Sequence, residues 1–182
     1  LRRQDWFALD TEFIRETTYW PRLCLIQVAN DDFVALIDPF AVEDPGPFLE
    51  LLDDAGVTKV LHAATQDLEI FHHLSGRVPA PVFDTQVAAP LLGFPEQAGF
   101  GRLVESLLDV RLAKGHARTD WSERPLPAEA LSYAADDVRY LVPLYHLIRQ
   151  RLAERGRLGW LEPEYAALTD PARFERPPAD AW

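Results

Sequence analysis

The sequence has no methionine and a single cysteine, and both features limit what the protein can be. Cys24 has no second cysteine to pair with, which excludes an internal disulfide and any metal site built from several cysteines. It lies in the apolar run of residues 23–28, a setting typical of a core residue. Because the chain begins with leucine and has no methionine, we expect it to be an excerpt from a longer protein.

Long hydrophobic runs are also missing. No segment approaches the ~20 consecutive apolar residues that a membrane-spanning helix needs. The first residues, Leu-Arg-Arg-Gln-Asp, lack the apolar stretch of a signal peptide. We therefore predict a cytoplasmic protein that does not act on a membrane. A length of 182 residues with 48% hydrophobic residues fits one domain with a full core.

Positive charge is scarce, since 18 Lys and Arg face 29 Asp and Glu, giving a net charge of -11. This balance argues against a general surface for polyanions. Residues 111–118 are a local exception, because they contain three cations and no acid and are followed by Arg124. They are the best candidates for phosphate contact, and we assign substrate binding to Lys114 and Arg118. An ordinary solvated loop is an equally good interpretation of this segment alone.

Residues 6–13 are rich in aromatic and apolar side chains, which predicts a strand inside a sheet. Successive side chains of a strand point to opposite faces, so Asp10 and Glu12 share a face. Two neighbouring carboxylates in such a place repel each other and lose hydration, and a divalent cation between them removes both costs. The alternative is that the strand ends at Leu9 and both acids are solvated.

A helix predicted over residues 65–74 carries a third acid. Asp67 precedes Phe71 by four residues and Leu74 by seven, so it lies on the same side as the apolar stripe. That position favours a functional acid facing the core. The alternative is an ordinary acid in the first turn, where the helix dipole favours negative charge.

The longest predicted helix covers residues 127–154 and carries a fourth acid together with a phenol. Tyr133 and Asp137 are four residues apart and therefore lie on one face, beside the core stripe. Asp136 lies ~100° further round the helix, which indicates a solvated acid. The alternative for Tyr133 and Asp137 is a hydrogen-bonded pair without a catalytic role.

The remaining pattern predicts the elements that surround these acids. The strands predicted over residues 23–28 and 33–37 are expected to form an antiparallel meander with the first strand. Asp84 is predicted to be the N-cap of a helix that follows a short fifth strand and runs to residue 92. Further segments are a fourth strand over residues 59–62 and helices over residues 48–52 and 102–108.

Four acids and one phenol make an oxygen-rich set of side chains. Such a set suits hard cations such as Mg²⁺ or Mn²⁺, and no set of cysteines and histidines competes for zinc. Two such ions ~4 Å apart can generate a hydroxide and stabilise both the attacking and the leaving oxygen of a phosphodiester. The residues therefore predict metal-dependent phosphodiester hydrolysis.

Three segments resemble the exonuclease motifs of the DEDD superfamily, in the same order along the chain. They are residues 10–13 (Asp-Thr-Glu-Phe), 62–69 (His-Ala-Ala-Thr-Gln-Asp-Leu-Glu) and 133–138 (Tyr-Ala-Ala-Asp-Asp-Val). The tyrosine four residues before the last aspartate is typical of the DEDDy branch. Residues 83–86, 118–121 and 124–126 resemble bacterial ribonuclease D more specifically. The resemblance covers residues 6–152.

The resemblance implies an α/β fold of the ribonuclease H-like type, with a mixed five-stranded sheet flanked by helices. It implies that Asp10, Glu12 and Asp137 hold the ion that activates water. Asp10 would also bridge to a second ion, which Asp67 would reach through water. Tyr133 would orient or deprotonate the attacking water. Thr11 and Phe13, inside the first motif, are assigned to substrate binding.

The implied activity is 3′-to-5′ hydrolysis of RNA with release of nucleoside 5′-monophosphates, using two divalent cations, Mg²⁺ or Mn²⁺. The implied substrate is RNA with a free 3′ end, tRNA precursors above all. Ribonuclease D proteins carry helical HRDC domains after the nuclease. We therefore expect an exonuclease domain over residues 1–170 and the start of a linker over residues 171–182.

Two other functions share these residues. A DNA 3′-to-5′ exonuclease of the proofreading or helicase-associated type has the same catalytic set, and the ribonuclease D-like segments favour RNA over it. A catalytically silent nucleic-acid-binding module is the alternative from another class. Such modules usually lose a metal ligand, whereas Asp10, Glu12, Asp67 and Asp137 are all present. The sequence leaves the oligomeric state open.

Overall fold

A five-stranded mixed sheet forms the centre of the computed structural model, which describes residues 4–15, 20–113 and 119–175. The strand order is β3-β2-β1-β4-β5. The bounds are β1 Trp6–Ile14, β2 Arg22–Ala29, β3 Val34–Ile37, β4 Thr58–Leu61 and β5 Val82–Asp84.

The first three strands form an antiparallel meander, and β4 and β5 run parallel to β1. The predicted meander and the predicted mixed five-stranded sheet are therefore confirmed. The register between β1 and β2 shifts between Glu12 and Phe13, where Cys24 of β2 has no partner in the ladder. Cys24 is fully buried, as predicted.

Six helices flank the sheet among the described residues. Their bounds are α1 Gly46–Leu52, α2 Thr65–Ser75, α3 Thr85–Ala88, α4 Phe100–Leu108, α5 Ala128–Glu154 and α6 Glu162–Leu168. None of the helices in the part of the chain that the structure describes combines the length and hydropathy needed to cross a membrane.

The two faces of the sheet carry different helices because strand side chains alternate. Ala8 of β1 packs in the same buried cluster as Val138 and Leu141 of α5, on what we call the α5 face. Leu9 of β1 points the other way, into a cluster with Leu68 of α2, on what we call the α2 face. The side on which a β1 residue lies is thus decided by whether its number is even or odd.

The helix predicted up to residue 92 is shorter than expected. It begins at Thr85, as predicted, but α3 ends at Ala88 and Ala89–Leu92 is a tighter 3-10 helix. The reason is Pro90, which has no N–H to bond to a carbonyl four residues earlier. Asp84 is the N-cap, because its side chain accepts hydrogen bonds from the N–H groups of Gln86 and Val87.

Residues beyond α5 add a part of the fold that the sequence pattern did not predict. A 3-10 helix, α6 and a second 3-10 turn follow in Leu158–Leu161, Glu162–Leu168 and Pro171–Arg173. Leu168 and Phe174 are buried in the cluster on the α2 face. The packed chain therefore extends to Phe174, beyond the predicted domain end at residue 170. Residues 176–182 lie outside the described residues, and a linker there stays a prediction.

Candidate active site

Three carboxylates meet where β1 passes beneath α5. Asp10 and Glu12 have even numbers and lie on the α5 face, and Asp137 projects from α5 toward them. One carboxylate oxygen from each of the three side chains lies within 4.8 Å of the others. The adjacent Asp136 instead forms an ion pair with Arg139 one turn along the helix. The predicted choice of Asp137 over Asp136 agrees with this geometry.

Asp67 is the fourth predicted acid and does not belong to this group of three. It is 6% exposed, and its Oδ1 accepts a hydrogen bond of 2.5 Å from the hydroxyl of Thr11. Thr11 has an odd number and points to the α2 face, which is why its hydroxyl meets the first turn of α2. The Thr11 side chain, predicted to bind substrate, is thus used to hold Asp67.

Burial and mutual repulsion disfavour the ionised forms of these acids. Burial, followed by the charges of Asp67, Asp137 and Glu12, raises the pKa of Asp10 well above its usual range. Burial and the charges of Asp137 and Asp67 raise the pKa of Glu12 to about 8. Burial raises the pKa of Asp67 to about 7, although the hydrogen bond from Thr11 opposes this change. Among the described residues, the fold therefore gathers acids whose ionised forms it disfavours.

Tyr133 lies beside this cluster and completes it. Its side chain is hydrogen-bonded to Asp137, and this bond lowers the pKa of Asp137, which burial raises to about 7. Burial and the nearby charges of Asp137, Glu12 and Asp10 raise the pKa of Tyr133 itself. The ring packs beside that of buried Trp121, with centroids 6.4 Å apart. The phenol is therefore held in place and stays protonated.

The donor set fits a divalent cation of the hard type. Asp10, Glu12 and Asp137 supply only oxygen ligands, and their oxygens are close enough together to share one ion. A bound cation would also favour the ionised forms that burial disfavours. The geometry therefore supports a metal site at these three residues.

We expect manganese to stabilise the protein more at pH 8 than at pH 5.5. The pKa values of Glu12, Asp67 and Asp137 are raised in the fold, so the stability that protonation provides is lost as pH rises through about 7 to 8. Mn²⁺ binding displaces these protons. At 100 times its dissociation constant, one ion adds about 2.7 kcal/mol of stability, or roughly 5–10 °C.

Thermal unfolding with MnCl₂ or with EDTA at both pH values would measure this effect. Without metal, the melting temperature is expected to fall between pH 5.5 and pH 8. Equal shifts at both pH values, or no shift, would contradict a metal site at these acids.

Asp84 holds the turn that leads into α2. Its carboxylate accepts hydrogen bonds from the N–H groups of Ala63 and Ala64, at 3.1 and 2.8 Å, besides capping α3. Ala63 has a φ of 59°, a left-handed conformation that is unusual for a residue with a side chain. The interaction fixes where α2 begins, and α2 in turn places Asp67. The predicted cap is confirmed, and this second role was missed by sequence reasoning.

Replacing Asp84 with alanine is expected to destabilise the protein by about 2–5 kcal/mol, because a helix cap and partners of buried N–H groups are lost together. Urea unfolding would measure the loss. Asp44→Ala is the matched control, since exposed Asp44 accepts one hydrogen bond from its own turn. Equal effects of the two substitutions would show that the contacts of Asp84 to Ala63 and Ala64 contribute little.

A cleft of about 900 Å³ opens beside Tyr133 and Asp137. Its walls come from α4, residues 111–113 and α5, and include Phe100 and Leu112 as apolar surface. Glu105 and Glu129 add acidic groups, and Arg111 in the same wall is bonded to Glu105 at 2.7 Å. The cleft therefore reaches the acidic cluster at Tyr133 and Asp137.

Arg124 has a structural role that the sequence did not reveal. Its guanidinium binds both oxygens of Asp38 at 2.7 Å and donates to the carbonyls of Trp121, Glu123 and Cys24. All five of its N–H donors are thus in use. In this arrangement Arg124 has no free N–H donor for a phosphate. Lys114 and Arg118 lie outside the described residues, and their substrate contacts stay a prediction.

Two further residues near the cluster were missed by sequence reasoning. Trp121 packs beside the ring of Tyr133. The only sequence feature that pointed to it was its position in the ribonuclease D-like segment. Gln27 lies opposite Asp10 on β2 and is fully buried. The sequence feature that could have identified Gln27 is that it is a polar residue inside an apolar strand.

Comparison with known proteins shows the family to which the chain belongs. A family model described as 3'-5' exonuclease matches residues 1–153, and the chain belongs to this family. A protein named ribonuclease D from Gluconacetobacter diazotrophicus is 49% identical over the whole chain. The chain covers 47% of that relative, so it spans about half the length of the curated relatives that it matches. The predicted resemblance to ribonuclease D is confirmed.

Solved structures support the fold in the same way. Escherichia coli RNase D, described as an exoribonuclease involved in structured RNA processing, matches with a TM-score of 0.89 and 39% identity. The match covers 97% of this chain and 46% of that one. Brucella melitensis NrnC bound to pGG matches with a TM-score of 0.81 and 32% identity, covering 94% and 83% of the two chains. NrnC is also known with bound Mg²⁺. The predicted ribonuclease H-like fold is confirmed.

Proposed function

We propose that this chain is the catalytic domain of a 3′-to-5′ exoribonuclease that releases nucleoside 5′-monophosphates. The observation that carries the proposal is the meeting of Asp10, Glu12 and Asp137, with Tyr133 bonded to Asp137 at the end of the cleft. Relatives named ribonuclease D support RNA as the substrate. RNA with a free 3′ end, tRNA precursors above all, is the substrate class that we propose.

Two divalent cations, Mg²⁺ or Mn²⁺, are the proposed cofactors. Asp10, Glu12 and Asp137 would hold one ion, and Asp10 with Asp67 would serve the second. Such ions lower the pKa of water and stabilise the attacking and leaving oxygens of a phosphodiester. The protein contributes the fixed positions of the four acids, with the hydroxyl of Thr11 orienting Asp67.

Tyr133 is proposed to orient the attacking water. The raised pKa keeps its phenol protonated, so the hydroxyl donates to Asp137 and can accept a hydrogen bond from water. A role as general base is disfavoured by the same raised pKa. Phe13, partly exposed at the end of β1, is proposed to contact the terminal nucleotide.

The function would be tested with 5′-labelled single-stranded RNA, matched DNA and the dinucleotide pGG, each with Mg²⁺, Mn²⁺ or EDTA. We expect a metal-dependent ladder that shortens from the 3′ end and is stronger on RNA. Preference for DNA would indicate the proofreading or helicase-associated alternative, and turnover of pGG alone would indicate a short-oligonucleotide substrate. No cleavage of any substrate would contradict the proposal.

We also propose that the protein works in the cytoplasm.

A further inference from the structure

Gln27 occupies the position on β2 directly opposite Asp10. The antiparallel register pairs Gln27 with Asp10 on one side and with Leu36 of β3 on the other. Directly paired residues of antiparallel strands project from the same face of the sheet. Gln27 therefore lies on the α5 face, as does Ala29, two residues further along β2, in the cluster on that face.

The side-chain amide of Gln27 is buried without compensation. The residue is 0% exposed, and neither its Nε2 nor its Oε1 has a hydrogen-bond partner among the residues that the structure describes. A buried amide left without partners costs stability, whereas leucine or methionine would pack in this layer without that cost. A purely structural role for the amide would require a partner, and the described part of the fold supplies none.

Asp10, directly opposite Gln27 in the strand register, is an acceptor within possible reach of this amide. Opposed residues of neighbouring strands have Cβ atoms ~4.5–5.5 Å apart, within reach of a glutamine side chain. An ionised carboxylate is an acceptor only, and Nε2 carries two donors, so the two groups are complementary. The neighbours of Gln27 on this face along β2, Leu25 and Ala29, offer no polar side chain.

We propose that Gln27 is a positioning residue, whose Nε2 donates a hydrogen bond to the Asp10 carboxylate when that carboxylate holds a divalent cation. The proposal rests on the proposed role of Asp10 as a metal ligand. An ionised carboxylate offers about four lone-pair sites, so one bond from Nε2 would leave the other sites of Asp10 for cations. Metal-ligating carboxylates are commonly oriented by such outer hydrogen bonds, whose loss lowers metal affinity or activity about 10–100-fold.

The test compares Gln27→Met with wild type in three measurements. These are the melting temperature in EDTA, the Mn²⁺ dissociation constant from calorimetry, and kcat on 5′-labelled RNA. We expect the metal-free melting temperature to rise by about 2–4 °C, because the unpaired amide is removed. Mn²⁺ affinity and kcat are each expected to fall about 10–100-fold. An apolar residue at position 27 is thus expected to raise the stability of the fold and to lower Mn²⁺ affinity and kcat.

Leu36→Met is the matched control, because it repacks the same layer one strand further from Asp10 and removes no polar group. It is expected to leave Mn²⁺ affinity unchanged. Gln27→Leu repeats the test with an apolar side chain of a different shape. Wild-type Mn²⁺ affinity in both Gln27 variants, or a lower melting temperature in both, would overturn the proposal. If wild type does not cleave RNA, the proposed function fails, and the Mn²⁺ affinities and melting temperatures still decide the role of Gln27.

Discussion

Replacing Asp10 with asparagine is expected to lower kcat on RNA by on the order of 1000-fold, which corresponds to ~4 kcal/mol of lost transition-state stabilisation. Asp10 lies close to the other acids, since burial and then the charges of Asp67, Asp137 and Glu12 raise its pKa. Asparagine keeps the shape of the side chain but provides no negative charge to hold a cation. Single-turnover cleavage of 5′-labelled RNA in Mg²⁺ would measure the loss.

The same substitution is expected to stabilise the metal-free protein, increasingly so at higher pH. The pKa of Asp10 is raised, so wild type keeps its proton at low pH and differs little from the variant there. As pH rises, wild type must ionise a buried acid, and the variant has none at this position. The difference in melting temperature in EDTA should therefore grow from pH 6 to pH 9.

Asp31→Asn is the control for both measurements. Asp31 lies in the turn between β2 and β3, where it contacts His146 at 2.8 Å on the surface. We expect this variant to keep wild-type kcat and to show no pH-dependent gain at high pH. If Asp10→Asn retained more than a tenth of wild-type activity, Asp10 would not be a metal ligand in the reaction.

Replacing Tyr133 with phenylalanine is expected to lower kcat about 100-fold or more while Mn²⁺ still binds, since a positioned proton-transfer or orienting group typically contributes 10²–10⁴-fold. The ring of phenylalanine can pack on Trp121 as the tyrosine ring does, so the fold should remain intact. Only the hydroxyl, which is bonded to Asp137, is removed.

Removing this bond also has a predictable effect on Asp137. The bond from Tyr133 lowers the pKa of Asp137 against the effect of burial, so its loss should raise that pKa further. Mn²⁺ binding should then require a slightly higher pH than in wild type. Tyr140→Phe, two turns further along α5, is the control and should leave kcat unchanged. Equal losses in both variants would show a general effect of the helix rather than a role of the Tyr133 hydroxyl.

Much of the fold could be predicted from local patterns. The run of aromatic and apolar residues in β1 and the apolar stripe of α5 predicted both elements to within one residue of their ends. The fold beyond residue 154 was missed because α6 has only seven residues and little periodicity of its own. Leu168 and Phe174 become buried only when this segment reaches the α2 face, which is a long-range contact.

The candidate site also has a part that local patterns predicted and a part that depends on long-range contacts. The spacing in the sequence already placed Asp10 and Glu12 on one face of a strand and Tyr133 and Asp137 on one face of a helix. The sequence alone did not show that the hydroxyl of Thr11 donates a hydrogen bond to Asp67. It also did not show that all N–H donors of Arg124 bond to Asp38 and nearby carbonyls. The catalytic roles of the four acids and of Tyr133 stay predictions until the variants are measured.

The sequence by itself determined the types of element, the faces on which the acids lie and the family to which the chain belongs. These depend on side-chain periodicity and on motifs, which are local properties. Only the tertiary structure decided which acids share an ion site, how far burial raises their pKa values, and that Gln27 faces Asp10 without a partner. Distance, burial and hydrogen-bond partners depend on segments that are far apart in the chain, and the packing of α5 and α2 against the sheet brings them together.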